Sequence, residues 1–363
     1  MKTSPLYLLL LALLLCGVLA TVSSCKKDET AATPAANANK TTLSALIDST
    51  TAVHNAATEG TRPGTYAAGS KATYLTAINL ATTTKNDANA AQAAVNTAVA
   101  NLRRAAVAFK NSLVQEVSAA NLVAQWKFEG NANDATGNGN NGTLSTGPVG
   151  PAPVFPARPT DGAVLPQLVA DRFNRPNQAY AFDNGAYIEV PYRLALNPQA
   201  LTLSVWCKRN DTNADNYLVS LNRWTGYKFQ LQSADKPFLT VNTTATIADR
   251  DAVTGVVPLN TWTHVVASYV DGSMKFYLNG ALVKTWTDVS GSLRATPQPV
   301  ALAIGQQLPK ATYNSTPTGG QAPDYFQYYG PAFFKGQMDD IRLYNRALSD
   351  AEVQSIFTIE STL

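Results

Sequence analysis

Cysteine is scarce: three in 363 residues, at positions 16, 25 and 207. Cys16 falls within an apolar leader, so at most two thiols remain afterwards, and a disulfide framework or a cysteine-rich zinc site is excluded. Charge is also sparse. Asp, Glu, Lys and Arg make up 15% of the chain, against about 25% in a usual soluble domain. The net charge of +3 becomes +2 if Lys2 leaves with the leader. No basic excess drives the chain toward nucleic acid. Long apolar runs are missing as well. The longest, Leu6 to Leu15, is shorter than the roughly 20 residues a membrane-spanning helix needs. Thr, Asn, Ser and Gly supply the polarity instead, which suits a neutral surface that meets neutral polymers.

What is present begins with MKTSPLYLLLLALLLCGVLATVSSCKKDE. One early lysine, the apolar run and small residues before Cys25 read as a secretory signal. Val22-Ser23-Ser24-Cys25 resembles the lipobox of bacterial lipoproteins, which implies a signal over 1–24 and acylation of Cys25. Lys26-Lys27-Asp28-Glu29 resembles the surface-export signals of Bacteroidota-type lipoproteins. The expectation is an outer-membrane, cell-surface protein held by lipid. Residues 25–40 form an Ala/Thr/Asn/Pro linker without apolar periodicity.

From 41 to 117 the period is helical. Leu43, Leu46, Ile47, Thr50 and Val53 mark a first helix, which Glu59 to Gly64 breaks. Tyr74, Ala77, Ile78 and Ala81 mark a second, and Val95, Val99, Leu102, Ala106, Phe109 and Leu113 a third. The spacing predicts a three-helix bundle. Gly60, Tyr66, Tyr74, Ala77-Ile78 and the Leu102-to-Phe109 stripe resemble FIVAR modules, helical units beside carbohydrate-active domains. That implies a stalk, or secondarily a ligand site.

From 119 to 363 the pattern is strand and turn. In residues 260–283, apolar and polar residues alternate, turn at Asp271-Gly272, alternate again and turn at Asn279-Gly280, the strongest local signal for antiparallel hairpins. Many such strands predict an all-β antiparallel sandwich. Trp126 to Gly130 with Asp134 to Gly139, Phe182 to Val190, Leu201 to Trp206, Trp262 to Val266, Tyr277 to Gly280 and Gly336 to Ser349 resemble the concanavalin A-like lectin/glucanase fold, in its laminin-G-like form. The resemblance implies a jelly roll and leaves the activity open, because the fold hosts many. First and last strands commonly pair in such folds. The end of the strand at Glu129 is then expected beside Gly336, with the Pro-rich insert 147–168 and the Tyr-rich insert 308–334 leaving at one edge.

Lectin-fold glucanases carry catalytic carboxylates as E-x-D-x-x-E, and none of Glu129, Glu189, Glu352 or Glu360 begins or ends such a motif. Asp339 and Asp340 are adjacent, so a regular strand sends them to opposite faces. The balance favours binding over hydrolysis. Cys207 and His264 are expected inside the sandwich, as is Trp262. Glu129, Asp134, Asn138 and Asp339 offer hard oxygen ligands for a structural calcium, with Asx turns and a cap on Arg342 as the alternative. Tyr325, Tyr328 and Tyr329, together with Trp224 and Tyr227, are the candidate platform for sugar faces; the alternative is that these rings pack on the sheet. The leading reading is a carbohydrate-binding, surface-anchored lipoprotein without catalytic activity. The others are a protein-binding adhesion module and a glycoside hydrolase or lyase.

Overall fold

The computed structural model describes residues 38–147, 164–212, 216–297, 299–314 and 333–362. Three helices open it: α1 (Thr41–Ala56), α2 (Ser70–Asn86) and α3 (Gln92–Asn111). The apolar stripes meet as expected. Leu43, Ile47, Tyr74, Ile78, Val95, Leu102 and Phe109 form one buried cluster. The Phe109 ring stacks between Tyr66 and Tyr74, with centroids 4.2 and 4.4 Å away. None of the three helices carries a side-chain N-cap bond, so packing on this aromatic stack, more than capping, holds the bundle. Among the described residues no helix is long and apolar enough to cross a membrane.

The rest is a sandwich of two antiparallel sheets. One holds β1 (Leu122–Trp126), β3 (Gln167–Val169), β4 (Ala179–Phe182), β6 (Leu201–Arg209), β11 (Thr263–Val270), β12 (Ser273–Leu278), β13 (Ala281–Trp286) and β15 (Gly336–Tyr344). Its order is β13-β12-β11-β6-β15-β4-β3, with β1 also on β15. The other holds β2 (Thr143–Ser145), β5 (Tyr187–Val190), β7 (Asn216–Leu221), β8 (Tyr227–Gln232), β9 (Lys236–Asn242), β10 (Ile247–Asp251) and β14 (Leu302–Ile304), in the order β10-β9-β8-β7-β14-β5-β2. A short helix, α4 (Lys310–Asn314), follows β14, and α5 (Asp350–Glu360) closes the chain. The expected jelly-roll-like sandwich with its helical bundle is what the chain forms.

The hairpin β12–β13 turns as its residues require. Asn279 and Gly280 take φ of 48° and 76°, the pair of left-handed residues that matches strand twist. The main core lies between the sheets, where Trp126, Leu203, Val205, Phe229, Val265, Tyr269, Phe276, Ile341 and Leu343 are buried. Each such side chain contributes about 1.5–3 kcal/mol of burial. A second, smaller cluster lies on the other face of the eight-stranded sheet, where Val266, Tyr277 and Tyr344 meet Leu348, Val353 and Ile356 around α5.

First and last strands do pair antiparallel, with Leu122 opposite Tyr344 and Trp126 opposite Ile341. The register corrects the expectation about Glu129. β1 stops at Trp126 and Phe128 turns into the left-handed region at φ 56°. Gly336 therefore faces Phe182 and Arg209 instead. The described ends of the two inserts do converge. Gln167 and Gln337 both pair with Ala181, and Lys310 donates from Nζ to Thr146 Oγ1 at 3.0 Å.

Residues 113–117 join the two domains through α5. Gln115 N donates to Ser355 Oγ at 2.8 Å, and Ser355 Oγ, whose nearer acceptor is Ala351 O at 2.7 Å, also lies 3.3 Å from Leu113 O. Val117 and Leu122 pack against the cluster that includes Val353 and Ile356.

Candidate functional site

The sandwich has two outer faces, and functional side chains gather on both. On the seven-stranded sheet, Tyr227, Phe229 and Leu231 point into the core, so Lys228 and Gln230 point outward. On β9, Leu239 and Val241 point inward, and Phe238 and Thr240 outward. The Lys228 ammonium lies 5.8 Å from the Tyr217 ring, 4.9 Å from Trp224 and 5.6 Å from Phe238. The Arg223 guanidinium lies 4.9 Å from Trp224 as well. Asn222 and Arg223 hold consecutive left-handed conformations, φ 55° and 49°, strain of the sort that collects where a side chain must be aimed. Asn222 Nδ2 donates to Thr296 Oγ1 at 2.6 Å and helps fix the turn. Ser220, on the same face, is buried with its hydroxyl unpaired among the described residues.

Of the five residues expected to meet a ligand, Trp224 is half-buried on this face. Tyr227 is not available. It is wholly buried in the core and its hydroxyl donates to Leu196 O at 2.8 Å. Its alternation with Phe229 and Leu231 in YKFQLQ was the signal that placed it there. Tyr325, Tyr328 and Tyr329, and Cys25, lie outside the described residues.

The expected calcium ligands do not come together. Glu129 is exposed. Asp134 is buried and spends both carboxylate oxygens on its own loop: Oδ1 accepts from Gln125 N, Thr136 N and Thr136 Oγ1, and Oδ2 from Asn140 N. Against the cost of burial, these bonds hold its pKa below the usual carboxylate value. Asn138 turns its amide nitrogen, a donor, onto Leu122 O and Val123 O. Asp134 bridges β1 at Trp126 on the edge opposite to β15, where Asp339 sits. Among the described residues no group of three or more His, Cys, Asp or Glu is arranged to hold a metal.

Asp339 belongs to a cluster the sequence did not reveal. A bulge in β15 between Asp339 and Arg342, with Asp340 left-handed at φ 41°, turns both aspartates to one side. Asp339 Oδ2 lies 2.5 Å from Arg172 Nη1, and Asp340 Oδ2 lies 2.8 Å from Arg172 Nη2. The expectation of opposite faces fails because the strand is irregular at that step. The Arg172 guanidinium also lies 4.5 Å from the Trp206 ring and donates to the Glu360 carbonyl. Trp206 Nε1 donates to Glu360 Oε2 at 2.7 Å, and Arg342 Nη2 pairs with Glu360 Oε1 at 2.7 Å. Burial beneath α5, reinforced by Asp340, pushes Asp339 up to about 8. Burial likewise pushes Glu360 up to about 7, with Arg342 opposing.

His264 is in this cluster too. It pairs with Trp206 across β6 and β11, its ring lies 5.3 Å from Trp206 and 5.9 Å from Phe357, and Nε2 is 2.7 Å from Ser204 Oγ. It was expected between the sheets and instead lies beneath α5, on the other face. Burial, aided by Arg342 and Arg172, lowers its pKa to about 3, so it is neutral at physiological pH. Trp262 shares that outward face and is half-buried, with Lys208 Nζ 5.6 Å from its ring. Cys207 does point into the core, where burial raises its pKa to about 12. Cys207 and His264 thus lie on opposite faces of one sheet and cannot act as a nucleophilic pair.

Residues 182–354 match the family model for the concanavalin A-like lectin/glucanases superfamily, in its laminin-G form. A curated relative, adhesion G-protein coupled receptor V1 of Danio rerio, is 27% identical over 184 residues, which is 47% of this chain and 3% of that protein. The chain therefore spans only a small fraction of that relative. Among solved structures, domain 4 of AbnA, an extracellular arabinanase from Geobacillus stearothermophilus, in complex with arabinotriose, is 18% identical with a TM-score of 0.46, covering 65% of this chain and 97% of that one. The binding domain of Paraclostridial Mosquitocidal Protein 1 is 16% identical with a TM-score of 0.44, covering 65% and 52%.

Proposed function

We propose that this lectin-like domain binds carbohydrate without hydrolysing it, on the outer face of its seven-stranded sheet. The observation that carries the reading is the half-buried Trp224 ring set beside Tyr217, Phe238, Lys228 and Arg223. Aromatic rings stack on the C–H faces of sugars, while neighbouring hydroxyl, amide and cationic groups bond to the hydroxyls. Ser220, Gln230 and Thr240 project from the same face but are buried, so they support the platform beneath the half-buried Trp224.

Hydrolysis requires two carboxyl groups about 5–9.5 Å apart across a scissile bond. On this face Glu189 stands on β5, and Asp249 and Asp251 share β10; the two strands are five intervals apart in the sheet order. At ~4.8 Å per interval they are about 24 Å apart. Asp249 and Asp251 are neighbours on one strand face, but each carboxylate is engaged: Glu189 Oε2 accepts from Tyr187 OH at 2.5 Å, Asp249 from Thr240 Oγ1, and Asp251 Oδ1 from Val253 N at 2.8 Å.

In the same reading, a lipid on Cys25 anchors the chain at the bacterial cell surface and the helical bundle is a stalk that carries the sandwich outward. Protein binding is the second reading, favoured by the match to an adhesion receptor. A glycan array probed with the full chain and with Trp224→Ala tests the first. Glycan binding that the substitution abolishes supports it; equal binding by both, or release of reducing ends from polysaccharides, overturns it.

A further inference from the structure

We propose that α5 is a proton-operated latch that couples the helical bundle to the sandwich, with Glu360 as the group that opens it. The geometry gives α5 two partners. One side is set on the eight-stranded sheet through Glu360, Phe357 and Ile356; the other holds residues 113–117 through Ser355. Whatever loosens α5 from the sheet also loosens the segment that leads to the bundle.

The seat beneath the end of α5 has more acids than bases. Asp339, Asp340 and Glu360 share Arg172 and Arg342, with bonds of 2.5–2.8 Å. Asp171 and Arg175, from the same turn as Arg172, pair with each other at 2.7 Å and cancel. From β6, Trp206 offers only its indole N–H. From β11, His264 stays neutral, and on β15 burial holds the Tyr344 phenol above its usual pKa. At the other end of α5 the ion pairs are balanced, Lys275 with Asp350 and Arg346 with Glu352, and both of those carboxylates sit below their ordinary values. Three carboxyls on two guanidiniums leave the seat one positive charge short, a proton that Asp339 and Glu360 share, and of the two only Glu360, with no exposed surface, belongs to the moving element.

The sign follows from linkage. Burial holds the docked Glu360 near 7, while a released carboxyl returns to about 4.3. Release thus expels a proton between those values, and docking is strongest in acid. Each pH unit across that window shifts the opening equilibrium about tenfold toward release. Above about 7 both states are ionised and Glu360 contributes no further change.

Hydrogen exchange of the full chain, corrected for intrinsic rates, tests the latch. Protection of α5 and of residues 113–117 is expected to fall together from pH 5 to pH 7. Glu360→Gln, which keeps an acceptor for Trp206, is expected to lower that slope by one proton, or tenfold per pH unit. An unchanged slope in the variant, or loss of protection in α5 alone, overturns the proposal. Carboxyl-carbon NMR titration of glutamate-labelled wild-type protein reads the same group without substitution. A midpoint near 7 for Glu360 supports the latch, and one near 4 overturns it.

Discussion

The two outer faces of the sandwich solve opposite problems. The face of the eight-stranded sheet is closed: α5 covers it, and Arg172 and Arg342 bind Asp339, Asp340 and Glu360 beneath. The face of the seven-stranded sheet gathers aromatic rings around cations at 4.9–5.8 Å. A buried charge cluster that satisfies itself serves the fold. Rings gathered around cations, with Trp224 and Phe238 half-buried among them, suit recognition.

The comparison breaks most easily on the closed face. Arg172→Met strips Asp339 and Asp340 of their partner, and the loss of a buried ion pair costs about 3–5 kcal/mol. Denaturant unfolding measures it, and a loss under about 1 kcal/mol would show that the cluster is not what holds α5. On the other face the expectation reverses. Trp224→Ala should weaken glycan binding at least about tenfold, or ~1.4 kcal/mol, read by titration calorimetry. The same variant should lose no more than about 1 kcal/mol of stability, the scale of the cation–π contacts it removes.

Smaller is the effect at the start of α5. Ser349 and Glu352 form a reciprocal capping box, and Arg346 binds the same carboxylate. Bonds from Arg346 first, then Ser349, lower the Glu352 pKa to about 2. The stabilisation is therefore present above about 4.3 and lost as pH falls through about 2. Glu352→Gln should cost about 1 kcal/mol at neutral pH and clearly less at pH 2, where the folded carboxylate is half protonated, by thermal unfolding at both. Smallest of all, chelation should leave the melting temperature unchanged, since Asp134 and Asp339 already spend their oxygens on protein donors. A drop on adding chelator would restore the metal reading.

Much of this was legible in the chain. Alternation and Asn279-Gly280 gave the hairpin, the apolar stripes gave the bundle, and the fold it resembles gave the pairing of first and last strands. Which face is the core was not legible for β11. THVVASYV is buried on both sides, between the sheets at Val265 and beneath α5 at His264, and alternation cannot label two buried faces. The charge cluster was hidden for another reason. Arg172 is 167 residues from Asp339, and the bulge that swings Asp340 toward it arises from tertiary packing that no local propensity records. Tyr227 was readable, and its place in a core-facing alternation outweighs its nearness to Trp224.

One consequence reaches back to synthesis. β15 sits between β6 on one side and β4 with β1 on the other, so the strand of this sheet made last is also its keystone. Pairing Leu122 with Tyr344 closes a loop of more than 200 residues, a contact that pays its entropy before anything rewards it. The bundle, whose core contacts all lie within residues 43–109, can fold as soon as it emerges. The sandwich cannot be completed until residues 336–360 are free. During that interval the eight-stranded sheet lacks its centre, and the nascent chain remains in a form that can still be threaded elsewhere.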